Sequence, residues 1–201
     1  GHGLASRPLE IPHFALLTFL GGMEPWRYRL MNLLGEMLLG LSLLATLRRL
    51  SGDGTLSLLA AALAMVYPNH GGTHIWMSQS PQTWAMVLCF AGFAAHLEWS
   101  EPASGRSAQA GWLAASQACY LASLLMYESA FFMPMALAAG YWAAAPDFPK
   151  FGRGGYLGVF KKILPYALSA AAFIVYQRTL APMWLAPSPK HVVFSFGHFR
   201  E

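Results

Sequence analysis

The sequence predicts an all-α protein: a polytopic bundle of about six transmembrane helices behind a short N-terminal interfacial helix. Three observations carry that expectation. Of the 201 residues, 56% are hydrophobic and only 11% charged, against roughly 25% charged in an ordinary soluble domain. That is too few charges to cover a fold of this size in water. The apolar residues fall in runs of about the length that crosses a bilayer. The basic residues sit in short loops between those runs, where they set topology. The net charge of +4 is therefore no signature of a nucleic-acid partner.

Taken in order, residues 1–27 read as an external interfacial segment. Its apolar part, 11–22, is too short to span and should lie on or dip into the interface. Transmembrane helices are expected over 28–182. The first span, 28–47, is stopped by Arg48 and Arg49, and Ser51, Gly52, Asp53 and Gly54 form a tight turn. The second, 55–67, ends at Pro68 and is short, so it tilts or is extended by the polar stretch behind it. A loop at 69–81, rich in Gly, His and Gln, leads to the third span, 82–99, closed by Glu98 and Glu101. Beyond a polar loop containing Arg106, the apolar stretch 110–145 is too long for one crossing. Tyr127, Glu128 and Ser129, with Pro134 behind them, divide it into helices 110–126 and 130–145. Residues 146–162 read as a basic loop with Lys150, Arg153, Lys161 and Lys162, in which Gly152-Arg153-Gly154-Gly155 is a flexible linker. The last span is 163–180, and 183–201 reads as an external loop.

Alternating these loops across the bilayer gathers Arg48, Arg49, Arg106, Lys150, Arg153, Lys161 and Lys162 on one side, cytoplasmic by the positive-inside rule. The N-terminal segment, the loop at 69–81, the Glu128 turn and the tail share the external side. The whole chain, 1–201, is thus expected to be one transmembrane domain, and the membrane expected is the bacterial inner (plasma) membrane. It starts at Gly1 without a signal peptide, and the expectation is an internal fragment of a longer protein.

Polar residues inside apolar runs need reasons. Asn32, Glu36 and Gly40 are spaced by four and share one helix face. A charge at mid-membrane costs roughly 3 kcal/mol on insertion scales. Glu36 should therefore face the bundle interior, as a structural pair with Asn32 or as a cavity-lining group. Glu128 reads as a first-turn acid of the following helix, as a carboxylate lining an external cavity, or as both. His70 and His74 have a metal-ligand spacing, but Gly71-Gly72 between them argues against a rigid helix. They are interface histidines or substrate-pocket groups, and no metal is expected. Arg178, near the external end of the last span, snorkels to the interface or grips a phosphate with its planar fork. Cys89 and Cys119 lie in apolar runs without a CxxC or zinc spacing and read as small buried residues. There is no nucleophile elbow, P-loop or dinucleotide fingerprint.

Several stretches together carry a family resemblance. Tyr28-Arg29-Leu30-Met31-Asn32-Leu33-Leu34-Gly35-Glu36 is similar to a helix that opens with an aromatic and basic pair followed by "NLLxH", with Glu36 where His is common. Residues 67–82 are similar to an "HPxHxExxxWxSxRxD" block, with Pro68, His70, Trp76 and Ser78 in register. Tyr67, Gly72, Ser80 and Gln82 stand where that block has His, Glu, Arg and Asp. Glu128 and Pro134 match a "KExxxxxP" turn, Tyr176-Gln177-Arg178 a late "YxxR"-like helix end, and Arg7-Pro8-Leu9 an "RPL" behind a catalytic acidic loop. These stretches resemble the GT-C superfamily of membrane glycosyltransferases, in the branch of protein O-mannosyltransferases and their bacterial relatives.

The resemblance implies transfer of a sugar from a polyprenyl-phosphate donor to an acceptor hydroxyl on the external face. The general base would be an Asp upstream of Gly1. No cofactor is implied beyond the lipid-linked substrate. The substrate-binding residues expected are Arg7, His70, His74, Glu128 and Arg178, with Arg27 and Arg29 adding positive charge. The partners expected are the bilayer, the polyprenyl-phosphate sugar and other membrane proteins. Two alternatives stand beside this expectation. One is a non-catalytic polytopic subunit of a larger membrane complex, in keeping with the replacements at Tyr67, Gly72, Ser80 and Gln82. The other is a transporter with Glu36 and Glu128 in an ion path.

Overall fold

The computed structural model describes residues 7–22, 24–66, 80–100, 106–144 and 153–179. Among them the chain is helical throughout, with seven α-helices and no strand. They are α1 (Glu10–Gly21), α2 (Pro25–Ser51), α3 (Gly54–Val66), α4 (Ser80–Ser100), α5 (Arg106–Met126), α6 (Met133–Ala144) and α7 (Arg153–Thr179). A 3-10 turn, Glu128–Ala130, joins α5 to α6.

Two of the helices are long and apolar enough to cross a membrane: Pro25–Ser51, and the Leu157–Thr179 portion of α7. The 27 residues of α2 rise about 40 Å, against a hydrocarbon core of about 30 Å. Little of either helix is covered by protein. In their most apolar stretches only 28% and 17% of residues are buried, so neither is a buried core helix among the described residues.

Local signals place the ends. Pro25 opens α2, where its missing N–H breaks no helical bond. Gly52, at φ 69°, closes it with its N–H on the Arg48 carbonyl, a left-handed cap that a side chain would resist. Asp53 then caps α3, its Oδ1 accepting from the N–H groups of Thr55 at 2.8 Å and Leu56 at 3.1 Å. The expected turn at residues 51–54 is therefore both a stop and a start.

The centre of the bundle is α4. It packs most extensively on α5 and next on α2, and it also touches α6 and the 3-10 turn. Eleven of its 21 residues are buried, more than on any other helix here. Two close approaches set this packing. A Cβ on Gly92 would stand 3.0 Å from the Ser116 carbonyl oxygen of α5, and one on Gly35 of α2 would stand 3.1 Å from the Trp84 ring nitrogen of α4. One apolar cluster joins α5 to α7 through Tyr120, Leu124, Tyr166 and Phe173. A second, of Phe93, Leu97 and Ala138, takes in Leu50 and Ile163 near the other end.

Polar side chains are buried beside these apolar clusters, and many large apolar side chains are exposed. The buried residues include Asn32, Glu36, Thr46, Thr83, His96, Ser116 and Ser123, while Leu33, Met37, Leu41, Leu63, Leu168 and Val175 face outward. Inside, Tyr166 donates to the Gly92 carbonyl at 3.3 Å and shares a 2.8 Å hydrogen bond with the Ser116 hydroxyl. Ser169 donates to Gln117 Oε1 at 2.6 Å.

Helix starts are corrected in three places: Arg106 opens α5 rather than lying in a polar loop, and two others have visible reasons. Residues 153–162 are not part of a basic loop: α7 begins at Arg153 and carries Lys161 and Lys162 within it. Arg153, Gly154 and Gly155 form its first turn rather than a flexible linker. The basic side chains do not break the helix because they can reach past it. Lys162 Nζ lies 4.8 Å over the Trp99 ring and 5.3 Å over Trp142, and donates to the Ser100 carbonyl at 3.4 Å. Pro165 is tolerated within α7. The second boundary also moves: the helix expected from residue 130 starts at Met133, behind the 3-10 turn.

Contacts sort the helix ends into two groups. At one end Arg49 of α2 pairs with Glu98 of α4, and Lys162 of α7 meets Ser100. At the other, the start of α1 meets the end of α5 through Leu9 N–H on the Leu125 carbonyl at 3.2 Å. There His13 and Ser80 share a 3.0 Å hydrogen bond, and Tyr28 donates to the Gly22 carbonyl at 2.7 Å. α1 thus lies across this end, from the α5–α6 turn over the start of α4 to the start of α2. Leu17 and Gly21 point into the bundle, while Ile11, Leu16, Phe19 and Leu20 are exposed.

Candidate functional site at the Glu128 end

Glu128 owes its position to a chain break. The N–H of Tyr127 bonds the Ser123 carbonyl at 2.8 Å, as the last helical bond of α5. Tyr127 itself is extended, at φ −159° and ψ 125°. The 3-10 turn then closes with the Phe131 N–H on the Glu128 carbonyl at 3.0 Å, and Tyr120 pins it from below by donating to the Phe131 carbonyl. Pro134 is buried as the second residue of α6, a position where proline costs the helix nothing.

Arg7 reaches this turn from the other end of the sequence. Its Nε donates to Glu128 Oε2 and its Nη2 to Oε1, both at 2.7 Å. This is a planar two-point pair, the stronger form of the Arg–carboxylate contact. The guanidinium carbon lies 4.2 Å over the Tyr127 ring, and Nη1 is 4.0 Å from Glu10 Oε2. The side chain of Arg7 is 24% exposed and that of Glu128 49%. The two hydrogen bonds from Arg7 hold the Glu128 carboxyl below the usual carboxylate range, against a smaller opposing effect of burial. One cation and two carboxylates leave the cluster with one net negative charge.

The other expected site residues fall differently. Arg178 is exposed in the last turn of α7, two residues past Tyr176, which packs on the Tyr120–Phe173 cluster beneath Phe131. It is at the Glu128 end, and no contact among the described residues joins it to Glu128 or Arg7. His70 and His74, with most of the 67–82 block, lie outside the described residues. Arg27 and Arg29 are exposed at the start of α2, at this same end. Glu36 and Asn32 are both buried on α2, on the flank where Gly35 meets Trp84 and Thr83 of α4.

Sequence reasoning did not find the pairing of Arg7 with Glu128, whose partners are 121 residues apart. The sequence led only to the expectation that Arg7, Glu128, His70 and Arg178 share one external-facing cavity, not that the first two neutralise each other. It also passed over His96. That residue is fully buried, with Phe93, Trp99 and Tyr166 rings 6.0, 5.1 and 4.9 Å away, and neither ring nitrogen has a hydrogen-bond partner among the described residues. A lone histidine in an apolar run was its only mark.

The chain matches no family model, no curated protein and no solved structure.

Proposed function

We propose that this chain is a multi-pass membrane protein of the glycosyltransferase type, acting on a polyprenyl-phosphate sugar at the Glu128 end of its bundle. The many exposed large apolar side chains support membrane insertion, since an apolar surface of this extent has no place in water. In this reading α4, covered by α2, α5 and α6, tolerates its polar residues because protein rather than lipid surrounds it. The distribution of basic residues supports an external Glu128 end, and the resemblance to bacterial relatives is what points to the bacterial inner membrane.

The transferase reading rests on one observation above all. Arg7 and Glu128 belong to two of the separate stretches that carry the GT-C resemblance, and they meet in a two-point contact. In the proposed reaction an acceptor hydroxyl attacks the anomeric carbon of the donor as the bond to the lipid phosphate breaks. A base accepts the hydroxyl proton, and cations stabilise the departing phosphate. With Arg7 already neutralised by Glu128, Arg178 is the better candidate for the phosphate. Arg7 and Glu128 then act as a clamp that fixes the turn and α1 around the site.

The same neutralisation favours a second reading, a non-catalytic subunit in which the pair is purely a fastening. A photoreactive polyprenyl-phosphate-sugar analogue separates the two. The transferase reading expects crosslinks to α1 and the last turn of α7, reduced several-fold by Arg178→Ala and competed by unlabelled donor. Absence of competed crosslinking leaves the subunit reading.

A further inference from the structure

At the opposite end, α2 and α3 leave an open groove that the proposed reaction does not use. A cleft of about 540 Å³ is lined by Leu41, Leu44 and Ala45, with Arg48, Arg49 and Gly52 at its end. A second, of about 290 Å³, shares Leu41 and Leu44 and continues past Gly40 to Met37 and Met65. The two adjoin along α2 through Leu41 and Leu44, the first carrying the charged end and the second, between α2 and α3, apolar throughout. Its floor is kept low by small residues, Gly40 on α2 and Ala61 and Ala62 on α3. A Cβ on Gly40 would already stand 3.4 Å from Met65.

The two arginines are not equivalent. Arg49 is engaged by Glu98. Arg48 is exposed, lines the cleft, and has no side-chain partner among the described residues. From Arg48 to Met37 is eleven residues, or about 16 Å of helix, the depth of one leaflet of a core about 30 Å thick. A cation at the headgroup level above an apolar channel one leaflet deep complements one kind of molecule.

We propose that this groove binds an anionic phospholipid, its phosphate on Arg48 and one acyl chain along Leu44, Leu41 and Gly40. The inference rests on the membrane reading above and is independent of the transferase reading. The positive charge of Arg48 favours a headgroup of net negative charge over a zwitterionic one that brings its own cation, and the shape distinguishes a site from the general attraction of a basic surface.

The test uses the 201-residue chain. Flotation with neutral phosphatidylcholine vesicles first reports insertion. A chain that stays at the bottom of the gradient sinks the membrane reading and the lipid site with it. For a chain that floats, native mass spectrometry from mixed micelles compares retention of phosphatidylglycerol and phosphatidylcholine. Wild type should hold one phosphatidylglycerol in preference. Arg48→Gln should weaken that retention roughly fivefold, the effect of one basic residue at a membrane surface. Leu41→Trp fills the groove without changing charge and should weaken it comparably. Lys161→Gln removes an exposed charge outside the groove and should leave retention unchanged. Equal losses from Arg48→Gln and Lys161→Gln would reduce the site to bulk surface charge. An unaffected Leu41→Trp, or a groove closed by a stable dimer that excludes phosphatidylglycerol, overturns the proposal.

Discussion

Removing the Arg7–Glu128 contact should loosen α1 and the α5–α6 turn together. The pair consists of two charge-assisted hydrogen bonds of 2.7 Å. Exposed ion pairs couple by roughly 0.2–1 kcal/mol. The planar two-point geometry favours the top of that range, while the half-exposed Glu128 carboxylate keeps it from going far beyond. A coupling of about 1 kcal/mol is therefore expected from a double-mutant cycle of Arg7→Ala and Glu128→Gln. Arg7→Ala alone should cost more, about 1.5–2 kcal/mol, because the stacking over Tyr127 goes as well and adds about 0.5–1 kcal/mol. Intrinsic tryptophan fluorescence during thermal unfolding in detergent reads this as a drop of roughly 2–4 °C per kcal/mol for a chain of this size. The contact also predicts a pH signature. Glu128 titrates below its unfolded value, so the folded state binds fewer protons than the unfolded state between the two. Its contribution is complete above the ordinary carboxylate range and is lost as pH falls through the lowered folded value. Glu128→Gln should abolish that acid-dependent part and leave the neutral-pH profile flat. Strictly additive single variants, with unchanged acid sensitivity, would show that the two side chains do not meet.

Three further outcomes are expected. Gly92→Val should disrupt the α4–α5 contact by more than about 1–3 kcal/mol, since even a Cβ there meets a backbone oxygen at 3.0 Å; size-exclusion chromatography should show aggregation, and a monodisperse variant would contradict the close approach. Asp53→Ala removes the α3 cap and should cost about 1 kcal/mol, with Asp53→Asn nearly neutral, measured by the same thermal assay. In a background lacking Cys89 and Cys119, single cysteines at Glu128 and at His70 should react with an impermeant reagent from outside cells and those at Arg49 and Lys161 should not; the reverse pattern would invert the topology.

Much of the helical plan was legible because hydrophobic length and chain-breaking residues report it directly. Arg48, Arg49 and the Gly52–Asp53 pair mark a stop and a restart in the sequence as they do in the fold. Tyr127 and Glu128 interrupt an apolar stretch for the reason visible in the structure: an extended residue and a 3-10 turn separate two helices. The start of α7 was not legible. Lysines near a bilayer surface look like loop residues, yet Lys162 stays helical by laying its chain on Trp99 and Trp142, a contact made across three helices. The candidate site was half legible. Glu128 stood out as a carboxylate interrupting an apolar stretch, and Arg7 through the resemblance of Arg7-Pro8-Leu9. That each neutralises the other depends on α1 lying across the bundle, and nothing local to either residue encodes that.

The placement of α1 has a consequence for biosynthesis. Its anchor points, the Leu125 carbonyl and the Glu128 carboxylate, lie well over a hundred residues later in the chain, with 121 residues separating Arg7 from Glu128. At about 5–20 residues per second, roughly 6–24 seconds of synthesis pass between the emergence of the helix and that of its dock. Through that interval α1 is without its dock at Leu125 and Glu128, while His13 can engage Ser80 part-way. α1 is thus made well before its dock, and Arg7 closes on Glu128 as a latch over α2 to α5, the helices made in between.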